Sequence, residues 1–260
     1  HAILHPLKSD CNPKRLDDQY PYKALCGAGV AFKLVQALAR EFISPRSSDL
    51  LASGSSRPLA RQTPAPLNDG WEKWLLDLVA IATVADMVPL TGENRALVHF
   101  GLIVLRKSSR PGIVALCRAL KLHQPLITAD DIAFLIGPRL NSASRMAHGS
   151  QAYRLLITTD PAEAETLADV LEGNNHARRA SVNTVLLAVE ALVDTNDGDV
   201  KNDVLVCGDP SWSLGVLGLA ASRLVEKYQR PVFLWSKNGR GEIKGSCRAP
   251  GSVNVVELMR

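Results

Sequence analysis

The feature that most constrains the fold is an apolar stretch, Asp77–Leu90, which begins with an aspartate and carries a second one at Asp86. No other charge and no large polar side chain lies between these two aspartates. Such a run is normally buried, and periodicity alone does not separate a helix from an inner strand. We predict a buried helix, because its small alanines let neighbours approach closely and Pro89 stops it just beyond.

The second aspartate, Asp86, stands at the edge of this stretch. A carboxylate at the edge of a buried element must be paired, hydrogen-bonded or bound to a metal, because an uncompensated buried charge is costly. The residues alone leave a structural cap or salt bridge and a metal site as open interpretations. Without further context the structural interpretation has the better odds.

Composition places the chain among ordinary globular proteins, with 46% hydrophobic and 22% charged residues in 260. That length suffices for one large domain or two modest ones. No apolar run approaches the roughly 18 residues of a membrane span. The formal charge of +4 is compatible with a polyanionic partner but does not demonstrate one. Five scattered cysteines predict reduced thiols in a cytosolic protein and argue against a disulfide framework or a zinc site.

The chain begins at His1 and ends at Arg260 in an apparent helix, and we therefore expect an internal part of a longer protein. Ala2–Leu4 is a possible strand. Ser44–Gly70 is rich in serine, proline and arginine and predicts an exposed or disordered insertion. Helical spacing predicts further helices over three segments: Ala31–Arg40, Gly92–Leu105 and Ile113–Leu120. Thr128 with two following aspartates predicts the N-cap of another.

Two short patterns have both a functional and a structural interpretation. Gly27 and Gly29 before the first helix would either expose amides to an anion or simply permit close packing. Arg139, Asn141 and Arg145 lie among small and apolar residues after Gly137–Pro138, which we expect to break the preceding helix. These arginines would either bind phosphate or carboxylate groups or pair structurally with acidic neighbours.

The second half of the chain has a different organisation. Ser150–Val193 is strongly helical but too long for one compact helix, so we expect a connector between domains there. After a polar boundary at Asp194–Asp203, a strand, a helix and a strand predict a parallel β-α-β unit. Gly239–Arg248 predicts a turn and a further strand. Ser246 and Arg248 at its end would suit a phosphate, or equally a tight sheet edge.

Taken together and in order, these segments resemble the RecJ-type exonucleases of the DHH phosphoesterase family. The resemblance covers almost the whole chain apart from the Ser44–Gly70 insertion, and its ordered set is far more specific than any single piece. The matching pieces are Asn12–Arg15, Tyr20–Leu34, Leu76–Leu90, Gly92–Arg95, Pro138–Arg145, Gly215–Arg223 and Gly245–Arg248.

The resemblance implies an α/β fold in which a truncated DHH domain, with a parallel sheet flanked by helices, is joined by a long helix to a smaller, truncated α/β DHH-associated domain. The implied bounds are residues 1–149 for the catalytic part, with 44–70 as a flexible insertion, then 150–197 for connector helices and 198–260 for the nucleic-acid-binding part.

The resemblance also implies the chemistry. Such enzymes hydrolyse single-stranded DNA from the 5′ end in repair and recombination, using two Mn²⁺ or Mg²⁺ ions, and are usually monomeric. Asp86 would be the last metal-ligand aspartate, and Asp77 a second candidate with a more structural character. Arg139, Asn141 and Arg145 would face the scissile phosphate. Single-stranded DNA would be bound through its phosphates by four further residues: Ser246, Arg248, Gly245 and Arg223.

The chain departs from the family pattern in two ways. The Asp-rich and Asp-His-His motifs would lie before His1, so the chain alone is expected to lack nuclease activity. Ser213, Leu214, Cys247 and Ala249 stand where His, Pro, Gly and Ser are usual. Two other interpretations therefore stay open: a phosphodiesterase acting on oligonucleotides or cyclic dinucleotides, and a non-catalytic DNA-binding relative.

Overall fold

The structure, a computed structural model, describes residues 22–39, 70–146, 149–195, 203–251 and 253–259. The predicted strand at Ala2–Leu4, the segment Asn12–Arg15 and the Ser44–Gly70 insertion, except Gly70 itself, lie outside the described residues.

The contacts divide the chain into two compact units. Unit 1 comprises the described residues up to Pro138 together with Leu156–Glu165, and unit 2 comprises Arg139–Leu155 and the described residues from Thr166 onward. This division by contacts does not test the domain bounds that the resemblance implies, and those bounds stay a prediction.

The apolar stretch forms a buried helix, as predicted. A 3-10 turn, Trp71–Leu75, leads into α2, Leu76–Ala85, whose middle is almost entirely buried. The helix ends earlier than Pro89. The Met87 amide donates to the Val84 carbonyl oxygen at 3.0 Å, and Met87 then takes the left-handed conformation with φ 55°. A non-glycine residue in that region turns the chain out of the helix.

The other helices of unit 1 follow the predicted segments closely. The N-cap predicted at Thr128 is present and forms a capping box, because its hydroxyl accepts from the Asp131 amide and the Asp131 carboxylate accepts from the Thr128 amide. The first helix begins four residues earlier than predicted. These helices are α1, Gly27–Leu38; α3, Gly92–Leu105; α4, Pro111–Ala119; and α5, Ala129–Asp131, with a short 3-10 turn at Gln124–Leu126.

The predicted break at Gly137–Pro138 is wrong. Ile132–Ile136 forms a π-helical turn that ends as the Gly137 amide donates to the Ile132 carbonyl oxygen, and α6, Gly137–Met146, continues directly from it. Pro138, which has no amide hydrogen to donate, thus stands at the second position of α6, directly after the π-helical turn. The Gly-Pro pair changes the helical register instead of ending the helix.

The long helical segment of the second half is divided once. After α7, Ser150–Ile157, a single helix of 35 residues, α8, spans Pro161–Thr195. It is about 50 Å long at 1.5 Å per residue. The stretch therefore contains two helices, as its length predicted, and α8 runs through Asn174–Arg179 without interruption.

Unit 2 contains the predicted β-α-β arrangement. Strand β1, Leu205–Gly208, pairs in parallel with β2, Val232–Lys237, and α9, Leu214–Tyr228, connects them. Strand β3, Ile243–Arg248, pairs antiparallel with β2, and a short α10 spans Val255–Leu258. The core lies between α8, α9 and the sheet, where Val185, Leu217 and Leu234 are fully buried. The fold is α/β, as predicted, although the described part of unit 1 contains helices and no strand.

Candidate functional site

Asp86 is the C-cap residue of α2, and its side chain is exposed. The burial argument made from the sequence therefore does not apply to it. Among the described residues, no hydrogen bond or ion pair reaches its carboxylate. The carbonyl end of a helix carries partial negative charge, which favours a cation nearby. Asp86 thus presents an accessible oxygen ligand, and its role as a metal ligand stays a prediction.

The loop after Asp86 is held by two side chains that the sequence reasoning did not single out. The Asn94 amide donates from Nδ2 to the Ala24 carbonyl oxygen at 2.7 Å and to the Pro89 carbonyl oxygen at 3.0 Å. The Tyr22 hydroxyl donates to the Thr91 carbonyl oxygen at 2.7 Å. Both residues lie inside pieces of the family resemblance, which was the available signal for them.

Asp77, the other aspartate of the stretch, is buried and paired, which favours its structural interpretation. It is 1% exposed, and its Oδ2 accepts from Arg110 Nε and from the Ser108 hydroxyl, each at 2.9 Å. Its Oδ1 accepts from the Leu78 amide at 2.7 Å. Both carboxylate oxygens are thus occupied by protein donors, as a buried charge requires.

Arg139 is also buried, at 7% exposure, on α6. Its Nε donates to Glu172 Oε2 at 2.7 Å and its Nη2 to Oε1 at 3.1 Å, a bidentate pair. The hydrogen bond from Arg139 lowers the pKa of Glu172. His176 lies one turn further along α8, with Nε2 3.1 Å from Glu172 Oε1. This geometry matches the structural alternative for Arg139, and its catalytic role stays a prediction.

The other two residues of that segment are exposed. Asn141 lies on the surface of α6. Arg145 donates from Nη1 to the Gly215 carbonyl oxygen at 3.3 Å. The backbones also meet there, since a Cβ on Gly215 would lie 2.3 Å from the Arg145 carbonyl oxygen. The glycine therefore allows the end of α6 to pack against the start of α9.

Unit 2 brings several arginines together. Arg178, half-buried on α8, donates from Nη2 to Asn175 Oδ1 at 2.9 Å. Burial lowers the pKa of the Arg178 guanidinium, and the neighbouring arginines lower it further by repulsion. The arginine group, as we call it, contains Arg178 and its four neighbours: Arg139, Arg145, Arg179 and Arg223. Helices α6, α8 and α9 thus bring positive charge together, with Arg139 itself paired with Glu172. Sequence reasoning did not single out Arg178 or Arg179, because only the packing of these helices places them near Arg145 and Arg223.

The predicted phosphate-binding residues of β3 converge with a glycine of α9. A Cβ on Gly218 would lie 3.1 Å from Ser246 Oγ and 3.3 Å from Arg248 Nη2. A Cβ on Gly245 would lie 2.6 Å from the Leu234 carbonyl oxygen of β2, and the phosphate-binding role of Gly245 stays a prediction. Arg248 donates from Nη1 to the Cys247 carbonyl oxygen at 2.7 Å. Ser246 and Arg248 therefore lie beside an open backbone position, whereas Gly245 permits close strand packing.

Within the described ranges, no group of three or more His, Cys, Asp and Glu side chains is placed to hold a metal ion. None of the described helices combines the length and the apolar character needed to cross a membrane. The described cysteines Cys26, Cys117, Cys207 and Cys247 are free thiols.

No protein-family model matches the chain. Curated relatives do. The chain is 38% identical over 265 residues to a single-stranded-DNA-specific exonuclease RecJ of Dickeya dadantii, and 36% identical over 263 residues to that of Escherichia coli. Each alignment covers 99% of this chain and 42% of the relative. The chain therefore spans less than half the length of the curated relatives it matches.

Solved structures agree. The chain resembles the crystal structure of RecJ from Thermus thermophilus in complex with Mn²⁺, with a TM-score of 0.69 and 33% identity, covering 92% of this chain and 31% of that one. It also resembles a structure of an exonuclease RecJ bound to manganese, with a TM-score of 0.69, 32% identity, and coverage of 94% and 53%.

Proposed function

Because this chain is a partial member of the RecJ family, we propose that it is part of a metal-dependent exonuclease that hydrolyses single-stranded DNA from the 5′ end, in repair and recombination. The observation that carries the proposal is the similarity to RecJ exonucleases along 99% of the chain.

Asp86 is the residue of this chain that would contribute to a metal site. Its carboxylate is exposed at the negative end of α2, and hard oxygen ligands suit Mn²⁺ and Mg²⁺. Structures of RecJ relatives contain Mn²⁺ in one case and Mg²⁺ in another. When bound, such ions polarise a phosphodiester and lower the pKa of water. Asp86 would supply one ligand of the set.

The positive side chains of unit 2 would bind the DNA backbone. Arg145 and Arg223 are exposed members of the arginine group, and Ser246 and Arg248 offer donors beside Gly218. Guanidinium groups bind phosphate oxygens with two donors at once. Asn141, also exposed, would add an amide donor facing the scissile phosphate. Arg139 would act mainly by joining α6 to α8 through its ion pair with Glu172, which would fix the positions of Asn141 and Arg145 on α6.

Four described cysteines are free thiols, which fits a reducing compartment, and we place the protein in the cytoplasm as a monomer.

The test is the variant Asp86→Asn in the full-length protein that contains this chain. The amide keeps the shape but removes the charge that binds the metal, so we expect at least a hundredfold loss of Mn²⁺-dependent degradation of 5′-labelled single-stranded DNA. Glu165→Gln, an exposed carboxylate of unit 1 that pairs with Arg118, is the control. Unchanged activity of Asp86→Asn would contradict the proposal. Parent activity on dinucleotides alone would favour the phosphodiesterase alternative instead.

A further inference from the structure

The loop between α2 and α3 is short and strained, yet firmly held. Met87 has φ 55°, a conformation that strains a residue with a side chain, whereas Gly92 has φ 49°, which glycine adopts readily. For a side chain such as methionine, this conformation costs of order 1 kcal/mol or more and persists only where the surroundings impose it. Asp86 is the residue directly before this strained position.

Asn94 makes the main hydrogen bonds that hold this loop in place. It is 0% exposed at the start of α3, and its Nδ2 joins the Ala24 and Pro89 carbonyl oxygens, which lie 65 residues apart in the chain. Its Oδ1 is buried and has no hydrogen-bond partner among the described residues. A buried acceptor without a partner costs about 1 to 3 kcal/mol. A leucine would fill such a site without that cost, but it could not hold the Pro89 carbonyl group.

Tyr22 holds the same loop from the outside. Its hydroxyl donates to the Thr91 carbonyl oxygen at 2.7 Å and lies 3.3 Å from the Pro89 carbonyl oxygen. Its ring covers Gly92 so closely that a Cβ there would lie 2.8 Å from the ring. The side chains of Asn94 and Tyr22 thus both contact the Pro89 carbonyl oxygen, Asn94 from the core and Tyr22 from the surface.

From this geometry we infer that Asn94, assisted by Tyr22, is a positioning residue that fixes the Asp86 carboxylate for metal binding. The inference rests on the proposed function of Asp86. Residues that orient a metal ligand affect metal affinity by about ten- to a hundredfold when they are replaced. A merely structural asparagine would affect stability and leave the metal requirement unchanged.

The experiment uses Asn94→Ala and Tyr22→Phe in the full-length protein, with Ser108→Ala as the matched control. Tyr22→Phe removes one exposed hydroxyl and keeps the ring, so it leaves the fold intact. Ser108 donates to Asp77 at the opposite end of α2, and its replacement removes one buried hydrogen bond far from the loop. Two readouts apply: hydrogen exchange of the Asp86 and Met87 amides, and the Mn²⁺ concentration that gives half-maximal nuclease activity.

We expect faster exchange at both amides and an approximately tenfold higher Mn²⁺ requirement in Asn94→Ala, with a smaller shift in Tyr22→Phe and none in Ser108→Ala. An unchanged Mn²⁺ requirement in both variants, while Asp86→Asn is inactive, would overturn the inference and leave the proposed function standing. An equal shift in Ser108→Ala would also overturn it, since general destabilisation would then be the cause. Full activity of Asp86→Asn would overturn both.

Discussion

At the scale of single residues, the charged groups of this chain divide into buried pairs and exposed groups. Asp77 and Arg139 are buried and each has an opposite charge as its partner, Arg110 and Glu172 respectively. Asp86 is exposed instead. Buried charges need partners because the interior does not solvate them. A side chain that binds a metal ion or a phosphate group must be accessible, and the Asp86 carboxylate is accessible.

The pair of Arg139 and Glu172 has a consequence for pH dependence. Arg139 lowers the pKa of Glu172 below its ordinary value of 4.5. A carboxyl group whose pKa is lower in the folded state stabilises that state above its unfolded pKa, and this contribution is lost as the pH falls through the folded pKa. The contribution is therefore fully present at pH 7.

Replacement of Arg139 tests this directly. We expect Arg139→Met to lower the free energy of unfolding by about 1 to 2 kcal/mol at pH 7, because Glu172 is left half-buried without its main donor. The difference from wild type should shrink as the pH falls below about 4. Denaturant unfolding across pH 3 to 7 measures it. Lys227→Met, which removes an exposed pair with Glu190, is the control. A difference independent of pH would contradict the assignment.

At the scale of elements, close backbone approach determines how the helices of unit 1 pack. Gly101 of α3 crosses α2 so tightly that a Cβ would lie 2.4 Å from the Leu76 carbonyl oxygen and 2.5 Å from Ala80 Cβ. The small residues of the apolar stretch make this crossing possible. The same crossing brings α3, and with it Asn94, to the loop that follows Asp86.

A matched pair of glycine substitutions tests the crossing. Gly101→Ala forces two backbones apart, and we expect a loss of about 2 to 3 kcal/mol in the free energy of unfolding. Gly173→Ala on α8, where a Cβ would meet nothing within 4 Å, should instead be neutral or stabilise by up to about 1 kcal/mol. Thermal and denaturant unfolding measure both. A Gly101→Ala variant as stable as wild type would show that the crossing is looser than described.

At the scale of the whole molecule, charge is concentrated and not spread evenly. The chain carries a formal net charge of only +4. Arg178 of unit 2 nevertheless has four arginines near enough to lower its pKa by repulsion, of which Arg139 is paired with Glu172. Concentrated positive charge attracts a polyanion more strongly than the net charge suggests, and the attraction weakens as salt increases.

Salt dependence tests whether this group binds DNA. Each phosphate contact with single-stranded DNA contributes about 0.7 to the slope of log affinity against log salt concentration. We expect Arg223→Gln in the full-length protein to reduce the magnitude of that slope by about 0.7, measured by fluorescence anisotropy. Arg118→Gln, an exposed arginine of unit 1 paired with Glu165, should leave it unchanged. Equal slopes for wild type and Arg223→Gln would exclude Arg223 from the interface.

The sequence by itself determined the local structure: the buried helix α2, the N-cap at Thr128 and the β-α-β unit. These depend on periodicity and end signals within a few neighbouring residues. The family resemblance also pointed to the α/β class, which the related structures confirm.

Only the tertiary structure decided which charges are buried and which side chains meet. Arg139 and Glu172 are 33 residues apart, and Asn94 joins carbonyl groups of residues 24 and 89. The tertiary structure also exposes the Asp86 side chain to solvent, whereas the sequence placed it at the edge of a buried element. It further shows that α8 is one continuous helix. The physical reason is that pairing depends on distances between packed elements, whereas sequence patterns report only on neighbours along the chain.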